Sequence, residues 1–417
     1  MKQSQFPIKT FREYPKNELA LNAKLLMRAG FIDKVGAGIY SYLPLGLRVI
    51  RNIEQIVREE MNAIKGRELL LPALHPKSYW QKTGRWDTFD ALYRINARED
   101  REYALGPTHE EIIVPLAKNL IQSYKDLPLY LYQIQTKFRD EPRAKAGLLR
   151  GREFIMKDLY SFHTDANDMD TYFEIVAAAY GKIFNRCGLP AVRTKASGGT
   201  FSKFSDEYQV LTSAGEDTIF LCQQCDTAWN KEIIGIKRTC PSCKKELKEE
   251  HATEVGNIFK LGTGYSKPFD LQYQAQDGSK RDVIMGCYGI GVSRLMGVAA
   301  EVHHDEKGII WPDEIAPFAV HLIEIKNSKV KSQNYNVKFK MSGENVYQTL
   351  LEDNIKVLYD DREDKTAGEK LTEADLIGIP LRIVVSEKTL KERKVEVKKR
   401  SETDVKLMTI KEFLQNF

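Results

Sequence analysis

At 417 residues the chain is too long for one compact core, so two or more domains are expected. A composition of 42% hydrophobic and 29% charged residues is that of an ordinary soluble protein, and a net charge of +5 is too small for a general polyanion binder. No apolar run is long enough to span a bilayer, the first residues lack the apolar core of a signal peptide, and the six cysteines are not spaced like a secreted disulfide framework, so a cytoplasmic protein without membrane contact is expected.

Residues 17–29 carry apolar side chains at helical spacing, with Asn17 as cap and Gly30 as stop. From Leu47 the stripe Ile50, Ile53, Val57, Met61 and Ile64 predicts an amphipathic helix ended by Gly66. "RELLLPAL" follows as a buried strand interrupted by Pro72. Strand-like runs at 103–105, 130–138, 154–160 and 207–212 predict a long antiparallel sheet with helices around it. In "GPTHE" a strand would place Thr108 and Glu110 on one face and His109, read as structural, on the other.

If 131–138 and 154–160 pair, residues 139–153 connect them, and this hairpin loop is crowded with Arg139, Arg143, Lys145, Arg150 and Arg152. Alternation puts Phe154, Met156, Asp158 and Tyr160 on one face, with Arg139 at the end of the incoming strand. An arginine fork grips phosphate bidentately, and Phe154 offers a flat surface to an adenine base. Glu141 then serves as an acceptor near the adenine amine. A second stretch, "MGCYGIGVSRLMGVAAE" (285–301), reads as a glycine-rich strand entering a helix with Arg294 in its first turn, a place that favours phosphate. Cys287 beside these glycines reads as a small apolar wall, since no partner base is evident.

Between these stretches, Cys222, Cys225, Cys240 and Cys243 form C-x2-C-x14-C-x2-C, within a knuckle at about 220–246. Two such pairs make a tetrahedral thiolate site for structural Zn²⁺. Near "IIWPDEIAPF" (309–318) prolines break the pattern, and beyond it strands and helices alternate: "AVHLIEI", a helix from about 342 to 353, "IKVLYDD", a helix near 367–377 and "LRIVVSE". A small α/β domain is expected there, with the Lys/Arg run at 388–400 read as an edge strand carrying protective lysines. The predicted division is 1–312 and 313–417.

The hairpin, with Phe138, Arg139, Glu141, Arg150, Phe154 and Asp158, resembles motif 2 of the class II aminoacyl-tRNA synthetases, and "GIGVSR" (289–294) resembles their motif 3. The 47–72 helix and strand look like motif 1, their dimer-interface element. The stretches "LGPTHEE", "GLLRGREFIMKDLYSFH", "MGCYGIGVSR", "GIIWPDEIAPF" and "LYDDRED…ADLIGIP" are most similar to bacterial-type prolyl-tRNA synthetases, over essentially the whole chain. The resemblance implies an antiparallel catalytic sheet with helices around it, an overall α/β (α+β) class, a C-terminal anticodon-binding domain and a homodimer. It implies ATP and Mg²⁺ as cofactor set and L-proline and tRNA(Pro) as partners. Arg139 would hold the α-phosphate and substrate carboxylate. Arg294 would take the γ-phosphate with Arg150, Phe154 would stack on adenine, and Glu141 would meet its edge. Thr108, Glu110, Arg139, Met156, Tyr160, Cys287 and Gly289 would form the proline pocket. Arg143 and Lys145 would face the tRNA acceptor end, and Asp361, Arg362 and Lys370 the anticodon. Gln209 would contact ATP and Glu207 Mg²⁺.

Two departures stand out. Lys145 occupies a place where relatives usually carry arginine, and Ser205-Asp206-Glu207-Tyr208 replaces a usual Ser-His-Glu-Phe. Only 127 residues separate Asp158 from Gly286, too few for the large editing domain of many bacterial relatives, so a separate trans-editing hydrolase is an expected partner. The rival readings are a class II synthetase for threonine, histidine or glycine, and a non-catalytic tRNA-binding relative. "KMSGE" (340–344) matches part of a class I signature, but no "HIGH"-type partner accompanies it.

Overall fold

The computed structural model describes residues 1–199, 201–235, 238–326 and 342–417. The first two residues of "KMSGE", and residues within the 197–210 loop and the cysteine knuckle, fall outside that description. The described residues cluster into two compact units, one of Val35–Tyr40 and Ile53–Glu301, the other of Met1–Lys34, Ser41–Asn52 and Val302–Phe417. The N-terminal segment thus belongs with the C-terminal residues, a pairing the sequence did not announce.

The first unit is built on a nine-stranded sheet. Its centre is four long antiparallel neighbours in the order Lys248–Gly262, Ile284–Gly291, Glu153–His163 and Leu129–Phe138. Lys248–Gly262 also pairs with Phe204–Leu211 and with Asp217–Cys222. Those two connect onward through Val192–Ser197 and Thr227–Asn230, so five strands close a ring on one edge of the sheet. Helix Ala166–Arg186, capped by the Asp165 carboxylate, covers one face with Phe173, Val176, Tyr180 and Phe184. Lys157 points to that side and donates to the Tyr180 hydroxyl at 2.7 Å, so alternation sends Met156 and Asp158 to the other face.

The second unit holds a five-stranded sheet in the order Val357–Asp360, Val320–Ile325, Leu381–Ser386, Val395–Lys399, Lys406–Met408. The first three are parallel and the rest antiparallel. Helices Gly343–Glu352 and Ala367–Ile377 connect the parallel strands, and Val320, Leu322, Leu350, Ile383 and Val395 form the core.

Several expectations need correction. The first helix runs Leu21–Arg28 with Ala20 as its cap, so Asn17 lies outside it, although Gly30 at φ +75° does stop it. "RELLLPAL" is not one buried strand: its pairing with Leu129–Phe138 ends at Glu68, Leu74 begins a separate short strand against Glu102–Leu105, and Leu70 and Leu74 are 73% and 47% exposed. Pro72 has no N–H for a ladder, and the side chains of Gln133 and Gln135 bond Leu71 N and O instead. The Val395–Lys399 strand is internal, because Lys406–Met408 covers it. "GPTHE" is not a strand either, for Glu110 opens helix Glu110–Leu120. The Leu47 stripe held: the helix is Pro44–Ala63, and Ile50, Ile53, Val57 and Met61 are fully buried, each worth about 2 kcal/mol relative to exposure.

Candidate active site

A cavity of about 190 Å³ opens on the face of the sheet opposite helix Ala166–Arg186. Its floor comes from two neighbouring strands in register, Met156 beside Gly291 and Asp158 beside Gly289. A Cβ at Gly289 would sit 2.3 Å from the Met156 methyl, so glycine there keeps the floor open. Thr108 and Glu110 close one end. The Thr108 hydroxyl donates to one Glu110 oxygen, and the Cys287 thiol donates to the other at 3.1 Å. Burial, and after it the nearby Glu110, hold that thiol well above its ordinary pKa, so it is neither nucleophile nor thiolate here. Tyr160 lies one layer deeper. Its hydroxyl donates to Asp158 at 3.1 Å and accepts from the His109 amide.

The other end of the cavity is cationic. Arg139 leaves its strand with its guanidinium near the Pro107 carbonyl and 5.2 Å from the centre of the Phe154 ring. Arg294, in the first turn of helix Val292–Val302, donates to the Glu254 carbonyl at 2.7 Å and lies 3.6 Å from the Glu254 carboxylate. Arg139, Phe154 and Arg294 also line an adjoining depression with Glu141, Leu148, Leu149 and Arg150. The site therefore has two halves with a shared wall, one small and partly apolar, one cationic with an aromatic plate. Among the described residues a larger groove, about 600 Å³, lies in the second unit beside Trp311, Val397 and Phe417 and holds none of these side chains.

The hairpin loop presents its cations because its apolar residues are anchored. Ala144, Leu148 and Leu149 are buried, while Arg143, Lys145 and Arg150 are exposed. Glu141 accepts from Arg150 at 2.9 Å, and Arg150 also reaches Glu216 at 2.8 Å. Glu207 and Gln209 do not line the cavity but sit on the ring beside it, the Gln209 amide donating to Glu207 at 2.8 Å and to Asp217 at 3.0 Å. Burial, and then Glu254, push the Glu207 carboxyl up to about 8. Neighbouring carboxylates that resist ionisation together are suited to a cation.

In the second unit, Asp361 accepts from Ser4, and Arg362 is held by Asp360 and Glu373, both at 2.7 Å. Lys370, expected to face tRNA, is 3% exposed and donates to the Glu324 carbonyl at 2.8 Å, so it is committed to the fold. The four knuckle cysteines converge, with all ligand atoms within 4.8 Å of one another, Cys222 and Cys243 at 3.5 Å and Cys225 and Cys240 at 3.9 Å. Four thiolates around Zn²⁺ with bonds of ~2.3 Å would stand ~3.8 Å apart, so the donor set fits.

Comparison with known proteins agrees with this layout. A model of the class II tRNA synthetase core domain (G, H, P, S and T) matches residues 93–303, and an anticodon binding domain matches 322–417. A proline--tRNA ligase of Wolbachia pipientis wMel is 39% identical over all of this chain and 99% of its own, and one of Ehrlichia canis is 40% identical over the whole of both. The chain belongs to the proline–tRNA ligase family of class II aminoacyl-tRNA synthetases. A family member from Geobacter sp. is 34% identical in an alignment that runs over 568 residues, so it carries insertions this chain lacks. Among solved structures, the Giardia lamblia prolyl-tRNA synthetase in complex with prolyl-adenylate superposes with a TM-score of 0.77 at 21% identity, covering 93% of this chain and 74% of that one. The Cryptosporidium parvum enzyme with L-proline and AMP gives 0.78 at 18%, covering 98% and 76%. Both share the fold.

Several lining residues of this family member escaped the sequence reading. Lys137 is fully buried, 2.7 Å from Asp158 and 2.6 Å from His109. The period of two running back from Arg139 would have found it. Glu254, Asn257 and Phe259 arrive on the long strand that follows the knuckle, and Phe201 on the loop before it, with no local signal to mark them.

Proposed function

We propose that the chain is a proline–tRNA ligase that first joins L-proline to ATP as prolyl-adenylate and then transfers proline to the 3′ end of tRNA(Pro). The observation that carries this reading is the wall of Arg139, Phe154 and Arg294 shared by a small carboxylate-closed pocket and a cationic depression. In the first step a proline carboxylate oxygen attacks the α-phosphorus, the bond to the β-phosphate oxygen breaks, and pyrophosphate leaves with the electron pair. In the second, the terminal tRNA hydroxyl attacks the prolyl carbonyl and AMP departs. Side chains contribute position and charge rather than covalent bonds.

In this reading Arg139 grips the α-phosphate and the proline carboxylate, Arg294 and Arg150 the outer phosphates, Phe154 stacks on adenine, and Glu141 meets its edge. Glu110, braced by Thr108 and Cys287, receives the secondary ammonium, and Met156 and Gly289 bound the ring, with Tyr160 supporting from below. Glu207, beside Gln209, is positioned to hold Mg²⁺, which would neutralise phosphate charge when bound. Exposed Arg143 and Lys145 suit the tRNA acceptor end, and the 313–417 region the anticodon, through Asp361 and Arg362. The knuckle holds structural Zn²⁺, all four positions being filled by thiolates. Exposed Leu70 and Leu74 favour a homodimer in the cytoplasm. With no large editing insertion, alanyl-tRNA would be cleared by a separate hydrolase.

The test is amino-acid-dependent ATP–pyrophosphate exchange with each of the twenty amino acids. Proline is expected to give the strongest exchange. Strongest exchange with threonine, histidine or glycine overturns the pocket assignment, and none at all would mark a non-catalytic tRNA-binding relative.

A further inference from the structure

Behind the carboxylate end of the cavity lies a cation that the reaction as described does not use. Arg85 is 7% exposed, and its guanidinium is boxed by four rings: Phe89 and Phe201 at 4.9 Å, Trp80 at 5.3 Å and Tyr265 at 5.5 Å. It donates from Nη1 to Glu111 at 2.9 Å, and Thr83 donates to the same oxygen. The same Nη1 lies 3.9 Å from Glu110 Oε2. Nε and Nη2 have no hydrogen-bond partner among the described residues. A buried guanidinium with two idle donors is an expensive element if its task is only to hold the fold.

Its neighbours suggest the task. Glu110 is wholly buried, and each of its oxygens already accepts from Thr108 or Cys287, both neutral groups. A buried carboxylate needs nearby positive charge when no substrate ammonium is present, and Arg85, hydrogen-bonded to the neighbouring Glu111, stands within 4 Å of it as an ion-pair partner. Phe201 lines the cavity, and its ring lies 4.9 Å both from that of Phe259 and from the Arg85 guanidinium. One cation, anchored on Glu111, therefore stands beside both the group that would meet the ammonium and a ring that would wall the pyrrolidine.

We propose that Arg85 is a positioning residue for amino-acid selection, fixing the Glu110 carboxylate and the Phe201 ring so that a cyclic secondary amine meets both at once. This rests on the reading of the cavity as a proline pocket. It differs from that reading in naming a residue that never touches the substrate.

The experiment is steady-state ATP–pyrophosphate exchange with Arg85→Met and Arg85→Lys beside the native enzyme, varying proline, alanine and ATP separately, with thermal unfolding in parallel. Arg85→Met is expected to raise KM for proline by about tenfold or more while KM for ATP stays within about twofold. It should also narrow the preference for proline over alanine. Arg85→Lys, which keeps the charge but not the planar fork, should recover part of the loss. Unchanged KM for proline, or equal rises for proline and ATP, would overturn the proposal. Phe201→Leu keeps the Arg85–Glu111 ion pair and decides the matter should Arg85→Met fail to fold: an unchanged proline-to-alanine preference there also sinks it. Failure of the native enzyme to exchange with proline would instead sink the pocket reading itself.

Discussion

Two imidazoles share one acceptor beneath the pocket. His75 and His109 each place Nε2 3.1 Å from the Pro72 carbonyl, which can only accept, so both rings carry the proton on Nε2. Their Nδ1 atoms then accept, His75 from the Trp80 indole at 3.3 Å and His109 from the Lys137 ammonium at 2.6 Å. A second proton on either ring would face a donor. Burial, and next Lys137, accordingly lower the His75 pKa to about 4, and the same causes push His109 lower still. The unfolded imidazoles take up protons near pH 6.5 while the folded ones refuse them, so this stability is complete above that pH and lost as pH falls towards 4. For His75 the limit is about 3 kcal/mol. The melting temperature should drop between pH 6.5 and 4.5, and His75→Gln should flatten that drop; identical slopes would argue against the assignment. At the same scale, Arg139→Lys keeps a charge but loses the fork. Its kcat for pyrophosphate exchange should fall ~10²–10³-fold with an unchanged melting temperature.

The hairpin loop and the cysteine knuckle act as elements. Arg143 and Lys145 project from a loop whose apolar residues are anchored. Replacing both with alanine should slow aminoacylation of tRNA by about tenfold or more, since charge-assisted contacts are worth ~1.5–3 kcal/mol, and leave pyrophosphate exchange intact. A parallel loss in both assays would place them in the first step. The knuckle reaches further than its own loop. The segment it staples supplies Asp217 to Gln209, Asn230 to Glu207, Glu216 to Arg150, and Glu232 to the Ser197 amide. On the proposal that the knuckle holds Zn²⁺, treatment with a chelator should therefore raise KM for ATP more than KM for proline, with metal content followed by elemental analysis and recovery on adding Zn²⁺. Protein that binds no zinc, or that loses it without change, would rule this link out.

For the whole molecule, a homodimer built on the motif 1 region should come apart when Leu70 or Leu74 becomes aspartate, measured by sedimentation; a monomer in the native protein would end that reading. What the sequence made legible follows a physical divide. Arg139, Phe154 and Arg294 were readable because each sits at a local boundary, a strand end, a two-residue alternation, a strand-to-helix junction. Pairing of the Met1–Lys34 segment with the C-terminal unit, closure of the five-strand ring, and the arrival of Glu254 and Phe201 at the cavity were not, because each depends on contacts distant in sequence that leave no periodic trace. "RELLLPAL" misled for the opposite reason: Pro72 breaks the ladder, and within the apolar run Leu71 is buried while Leu70 and Leu74 face outward.

The shared wall of Arg139, Phe154 and Arg294 has a thermodynamic corollary. A ligand in either half orders side chains that the other half also uses, so the two substrates should not bind independently. Whatever factor ATP contributes to proline affinity, proline must return to ATP affinity, since the coupling is a property of the ternary complex and not of either partner. A scarcity of one substrate would then weaken the enzyme's hold on the other, a coupling between unlike ligands that needs neither a second subunit nor an effector site.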